Sequence, residues 1–249
     1  MNRIIIGNWK MNLDNKLAEV LVDRLRIHTT QPTARVVLCP NFVALSLVSI
    51  KVKKLDPKVW AIGAQNINEN DEGAYTGEVS GPMLKPFVKY CIVGHSERRI
   101  NFGETDEVVA QKVAACMRAK IIPVLCVGEN LRQRNENLAK RTVMDQLEEN
   151  LSEITQKEAG KMVIAYEPVW AIGTGQNATP SDIETMLSSM YKYLITKYGA
   201  ETAAKISLLY GGSVNGYNAK TYLETQPCSG LLVGGASLNY KEFSKICQL

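Results

Sequence analysis

Eight short apolar runs, recurring at intervals of roughly thirty residues with amphipathic segments between them, leave this chain very few architectures. They are Arg3 to Gly7, Val36 to Cys39, Val59 to Gln65, Tyr90 to Val93, Ile121 to Val127, Met162 to Tyr166, Ile206 to Tyr210 and Gly230 to Val233. Their hydrophobicity is nearly continuous, without polar alternation, which suits parallel strands buried on both faces. In the intervening segments Leu17, Val20, Leu21 and Leu25 keep helical spacing, as do Val143, Leu147, Leu151 and Ile154. The clearest helix is predicted over Pro180 to Tyr198. Thr179 is its N-cap, Pro180 and Asp182 stand in the first turn, Gly199 stops it, and Ile183, Met186, Leu187, Met190 and Leu194 form its apolar stripe.

Eightfold alternation of strand and helix predicts an α/β fold, either a doubly wound open sheet or a closed barrel. A dinucleotide-binding open sheet would carry a GxGxxG turn after its first strand. Gly7-Asn8-Trp9-Lys10 stands there instead, which favours the (β/α)8 barrel with eight parallel strands surrounded by helices. At 249 residues, without a Pro/Gly/Ser-rich linker, the chain is expected to be a single domain over 1–249. One connection stands out: Asn66 to Pro82 is long, polar and aperiodic, and a loop of that length is usually functional, an interface or disordered.

A net charge of +4 without a basic cluster gives no reason to expect nucleic acid. No stretch approaches the roughly 20 apolar residues of a membrane span. Cys39, Cys91, Cys116, Cys126, Cys228 and Cys247 are scattered without a CxxC pair, as expected of reduced thiols in a cytoplasmic protein. With His28 and His95 the sole histidines, no metal site is expected.

Chemically able residues follow several strands: Lys10, His95, Glu167, Ser213 and the pair Gly234-Gly235. In an α/β barrel these positions converge on one mouth, where the loops after the last two strands often bind phosphate. Tyr210-Gly211-Gly212-Ser213 and Val233-Gly234-Gly235-Ala236-Ser237 fit that task, because glycines let backbone amides approach an anion. Lys10 would add a fixed positive charge beside them. His95 precedes Ser96, which can start a short helix, and an imidazole at a helix N-terminus is biased towards neutrality because the dipole opposes added positive charge. His28 has no such setting and is expected to be structural or solvated. Ala165-Tyr166-Glu167-Pro168-Val169-Trp170-Ala171-Ile172-Gly173-Thr174-Gly175 reads as a carboxylate base followed by a lid, with Trp170 anchoring one root and Gly173 and Gly175 bracketing the other.

Asn8-Trp9-Lys10-Met11-Asn12, Gly94-His95-Ser96-Glu97-Arg98-Arg99, Tyr166 to Gly175, Tyr210 to Ser213 and Gly234-Gly235-Ala236-Ser237-Leu238 together resemble the triosephosphate isomerase family, in order and over essentially the whole chain. The resemblance implies a TIM barrel that interconverts dihydroxyacetone phosphate and glyceraldehyde 3-phosphate, with no cofactor or metal. It implies Glu167 as general base, His95 as electrophile and Lys10 as electrostatic support with Asn8 adjacent. Gly173, Ser213, Gly234 and Gly235 are the implied phosphate donors. It also implies a homodimer through the loop 66–82, with Thr76 at the neighbour's site and Glu97 supporting the catalytic residues. Where many family members pair an arginine after the lid with an aspartate before the eighth strand, Tyr191 and Ser229 stand here. Two other readings stand beside the isomerase: an enzyme that keeps the barrel and phosphate site but uses Lys10 as a Schiff-base nucleophile, and a phosphometabolite-binding or surface-interaction protein that has lost chemistry.

Overall fold

The structure, a computed structural model, describes residues 3–172 and 177–249. Its strands are β1 (Ile4–Asn8), β2 (Arg35–Cys39), β3 (Trp60–Ala64), β4 (Tyr90–Val93), β5 (Ile122–Val127), β6 (Val163–Tyr166), β7 (Ser207–Tyr210) and β8 (Gly230–Val233). Each pairs in parallel with the next, and β8 returns to β1 with Ile4 opposite Gly230, so the sheet closes into a TIM barrel surrounded by helices. All eight predicted strands are present, with each limit within one residue of the predicted one.

Closure explains the unbroken apolar runs. In β1, Ile4 and Ile6 point into the barrel with Val37, Ile92 and Leu209, while Ile5 points outward into the layer that the helices cover. Both faces are therefore apolar, and no period-2 pattern survives. All six cysteines are buried free thiols.

The helix Pro180–Tyr198 has the predicted limits. Thr179 and Asp182 form a reciprocal capping box, and its five predicted stripe residues are buried. Two expectations need correction. The helix Asn15–His28 buries Ala18, Leu21, Val22 and Leu25, whereas Leu17 and Val20 are exposed, so its inward stripe is rotated from the one predicted. The helix Ala139–Asn150 ends before Leu151 and Ile154, which are buried in the turn that follows. After β3, residues 66–80 form neither helix nor strand, and the short helix Gly81–Leu84 takes up the end of the predicted loop. His28 is exposed, its ring 4.7 Å from that of Tyr240. Among the described residues no helix is long and apolar enough to cross a membrane, and no group of residues is arranged to hold a metal ion.

Candidate active site

The C-terminal ends of the strands surround a cavity of about 490 Å³ lined by Asn8, Lys10, His95, Glu97, Glu167, Ser213, Gly234 and Gly235 among others. Barrel closure thus brings together every described residue proposed for catalysis or substrate binding. Thr76 is exposed on its loop and does not line this cavity. Gly173, with Thr174 and Gly175, lies outside the described residues.

Lys10 follows β1 with a φ of 53°, a left-handed conformation uncommon for a side-chain-bearing residue. Its neighbours hold it there: its amide donates to Asn8 Oδ1 at 3.1 Å, and its carbonyl accepts from Gln65 Nε2 at 2.9 Å. Strain of this kind, typically about 1–3 kcal/mol, persists where the surroundings over-determine it. The Lys10 ammonium is ion-paired with Glu97 and lies beside Gly234 of the adjacent β8 loop. A Cβ built on Gly234 would stand 3.4 Å from Lys10 Cε, which places the lysine against the β8 loop.

His95 is the N-cap of the helix Ser96–Phe102, and its Nδ1 accepts from the Glu97 amide at 3.2 Å. An Nδ1 that accepts is an unprotonated nitrogen, which leaves Nε2 as the ring's donor. Nε2 faces Glu167 Oε1 at 3.1 Å. The other carboxylate oxygen, Oε2, accepts from the Ser96 amide at 2.9 Å. Glu167 is only 2% exposed, so the carboxylate sits in a nearly dry setting with the Ser96 amide on one oxygen and the His95 ring beside the other. Cys126 packs close by; burial, then the neighbouring Glu167 charge, pushes its thiol well above the usual range, which makes it an inert wall.

The glycines around Glu167 have a steric reason. A Cβ at Gly128 would lie 1.7 Å from the Glu167 carbonyl oxygen, and one at Gly211 would lie 3.0 Å from Glu167 Cγ. Gly128→Ala is expected to push the Glu167 backbone away, at a stability cost of about 3 kcal/mol together with loss of most activity. Thermal denaturation and steady-state kinetics on the variant test this, and an alanine that left both unchanged would contradict the packing argument.

Two residues overlooked in the sequence, Glu129 and Arg134, tie together the two segments that flank residues 173–176, the roots of the lid expected from sequence. Glu129, fully buried after β5, accepts from Tyr166 Oη at 3.0 Å and from Trp170 Nε1 at 2.8 Å. Arg134 approaches Glu129 Oε1 at 3.6 Å, lies 4.1 Å over the Trp170 ring, and donates to Asp182 Oδ1 at 2.8 Å. It therefore bridges the root at Trp170 to the root at Thr179 and Asp182. Ser213 Oγ donates to the Ala171 carbonyl at 2.8 Å and fixes the first root to the β7 loop. An acid just past a strand end, in Cys126-Val127-Gly128-Glu129, was a usable signal for Glu129. Nothing local marked Arg134. Arg134→Ala is expected to lower kcat/KM roughly tenfold by loosening both roots, with Arg134→Lys only partly restoring it because lysine keeps the charge and loses the planar stack. Kinetics of the two variants decide the matter, and equal values for alanine and wild type would remove the bridge from function.

Tyr191 and Ser229 form no charged pair. Tyr191 packs partly buried against the core, while the amide and hydroxyl of Ser229 both donate to the Leu208 carbonyl, at 2.8 and 3.0 Å. The lead-in to β8 is thus tied to β7 by hydrogen bonds.

Comparison with known proteins agrees with this geometry. A sequence model of the family described as Triosephosphate isomerase matches residues 3–249. The chain is similar to the triosephosphate isomerase of Moorella thermoacetica, 43% identical over 244 residues that cover 98% of this chain and 96% of the relative. It is also similar to that of Clostridium botulinum (strain Loch Maree / Type A3), 42% identical over 98% of this chain and 97% of the relative, and to that of Idiomarina loihiensis, 40% identical over 98% and 96%.

Proposed function

The chain belongs to the triosephosphate isomerase family, and on that premise we propose that it interconverts dihydroxyacetone phosphate and D-glyceraldehyde 3-phosphate by proton transfer through an enediol or enediolate, serving glycolysis and gluconeogenesis. The observation that carries this reading is the pairing of the Glu167 carboxylate with His95 Nε2 at 3.1 Å in a cavity that also contains the Lys10 ammonium.

In this mechanism Glu167 removes a proton from one substrate carbon and returns it to its neighbour. Glu167 Oε2 is held by the Ser96 amide and Oε1 faces His95 Nε2, so one of these contacts must give way to the substrate's C–H before the carboxylate acts. His95 Nε2–H then donates to the substrate carbonyl and shuttles the hydroxyl proton of the intermediate. Lys10 supports the developing negative charge and the phosphate. A positioned base contributes about 10²- to 10⁴-fold in rate, and a preorganised donor to an oxyanion about 3 kcal/mol. The backbone amides of Ser213, Gly234 and Gly235 are proposed to hold the phosphate, with Gly173 joining them from the lid. The lid excludes water and suppresses loss of phosphate from the intermediate. This chemistry needs neither a metal nor an organic cofactor.

The same reading includes a homodimer through the loop 66–82, with Thr76 reaching the partner's site. Exposed apolar side chains support it: Met11 (96%), Met83 (61%) and Phe102 (69%) have little reason to face water in a monomer. Buried free thiols are consistent with a cytoplasmic protein.

A coupled isomerase assay on the purified chain tests the activity, and absence of turnover with either triose phosphate would overturn it. The Schiff-base alternative has less support, because Lys10 Nζ already donates to Glu97 and serves better as a fixed charge. Borohydride trapping of substrate on Lys10 would reverse that preference.

A further inference from the structure

The strands also have N-terminal ends, and they frame a second opening on the face opposite the catalytic mouth. Ile4 pairs with Arg35, Tyr90 with Ile122, and Val163 with Ser207, so these residues all stand at that end of the barrel. A cavity of about 350 Å³ lies there. Its floor is the lowest layer of the barrel interior, Ile4, Tyr90, Ile122 and Val163. Its rim carries Arg35, Lys58, Lys161 and Lys205, and no carboxylate residue lines it.

The rim charges are poorly compensated. Lys205 pairs with Glu201 at 2.7 Å on its own helical segment. Lys58, Lys161 and Arg35 form no ion pair within 4.0 Å among the described residues. Arg35 donates to the carbonyls of Pro57 and Lys58, at 2.9 and 3.3 Å, and its guanidinium lies 6.0 Å over the Tyr90 ring. Its buried Nε has no hydrogen-bond partner among the described residues. Asp56 accepts from the Lys58 amide at 2.8 Å, and Glu158, near enough to feel the charge of Lys161, accepts from Thr155. Lys89, beside this opening, is held below the usual lysine range by burial and then by the charge of Arg35.

Four cations from four separate segments around one concavity repel each other. A cleft lined by one sign of charge over low-dielectric walls concentrates counter-ions of the opposite sign. Lysine ammoniums match phosphate oxygens as point charges, and the Arg35 guanidinium, held by two carbonyls, adds a fixed charge beside them. The volume falls at the small end of the range for ligand pockets, about 300–1,000 Å³. We propose that the N-terminal mouth of the barrel is a binding site for a small multivalent oxyanion, a molecule carrying two or more phosphate groups. Several charges are required because a single monovalent anion would reach only one or two of the rim cations.

The test is calorimetric titration of the full chain with inorganic tripolyphosphate at fixed ionic strength, with the catalytic mouth saturated by a triose phosphate analogue. The expected result is one remaining site per chain, weakened roughly tenfold or more in Lys58→Gln/Lys161→Gln, which loses two charges and no side-chain hydrogen bond. Adding Arg35→Gln should weaken it further, and kcat/KM should stay at the wild-type value in the double variant, which shows that it folds. Three results would overturn the proposal: unchanged affinity in the double variant, disappearance of all binding once the catalytic mouth is filled, or tighter binding of a single-stranded oligonucleotide than of tripolyphosphate. The last outcome would mark the face as a surface for a macromolecular polyanion.

Discussion

Glu167→Asp is expected to lower kcat about 10²-fold or more while KM changes far less, because the shortened side chain withdraws the proposed base by about 1 Å and leaves the phosphate loops untouched. The surroundings of Glu167 make the loss hard to recover. Gly128 and Gly211 press against its backbone and Cγ, and the Ser96 amide fixes Oε2, so the backbone cannot advance to compensate. Glu167→Gln removes the base altogether and should cost roughly 10²- to 10⁴-fold in kcat. Steady-state assays in both directions of the reaction check these values. A kcat in Glu167→Asp equal to wild type would take the base role away from this residue.

The largest stability effect is expected at a buried ionic cluster behind the site. Glu104 accepts from both Arg98 and Lys112, and Lys112 Nζ also donates to Asn66 Oδ1 at 2.9 Å. The side chains of Glu104 and Lys112 are each only 5% exposed. Removing one partner of a buried pair leaves the other charge without compensation, so Glu104→Ala should cost about 3–5 kcal/mol. Asn66 opens the loop 66–82, so the same substitution should also loosen the proposed dimer. Denaturant unfolding and sedimentation measure the two effects, and a loss under 1 kcal/mol would show that the cluster is solvated.

The cluster also sets a sign for pH. Burial raises the Glu104 carboxyl, but hydrogen bonds and charges from Lys112 and Arg98 outweigh it and hold the group below its ordinary 4.5. A depressed carboxyl stabilises the fold fully above its unfolded value, and that contribution is lost as pH falls from there through the folded value. The difference in stability between wild type and Glu104→Gln should therefore be largest near neutral pH and shrink below about pH 4.5.

The barrel was legible because its cause is local. A strand covered on both faces must be apolar throughout, and each helix between strands must carry a stripe, so eight repeats of that pattern could be counted along the chain. The limits of Pro180–Tyr198 were legible for the same reason, since Thr179, Asp182 and Gly199 act within a turn of the ends they define. Leu17 and Val20 misled because spacing gives the period of a helix and leaves open which of two adjacent stripes faces inward.

The residues proposed for chemistry were read from motifs at strand ends, but no motif contains the distances that make them a site. Asn8 and Gly235 lie at opposite ends of the chain, and only the pairing of β1 with β8 brings them to one cavity. The same closure turns Gly128 from a turn residue into a contact on Glu167, places Arg134 across both lid roots, and gathers Arg35, Lys58, Lys161 and Lys205 around the opposite mouth. By itself the sequence determined the alternation that favours a barrel, the order of its strands and helices, and the chemical character of each strand end, because these depend on neighbours a few residues away. The tertiary structure alone decided which distant groups touch, since steric contact and Coulomb energy depend on separation in space, and closing a sheet makes that separation unrelated to position along the chain.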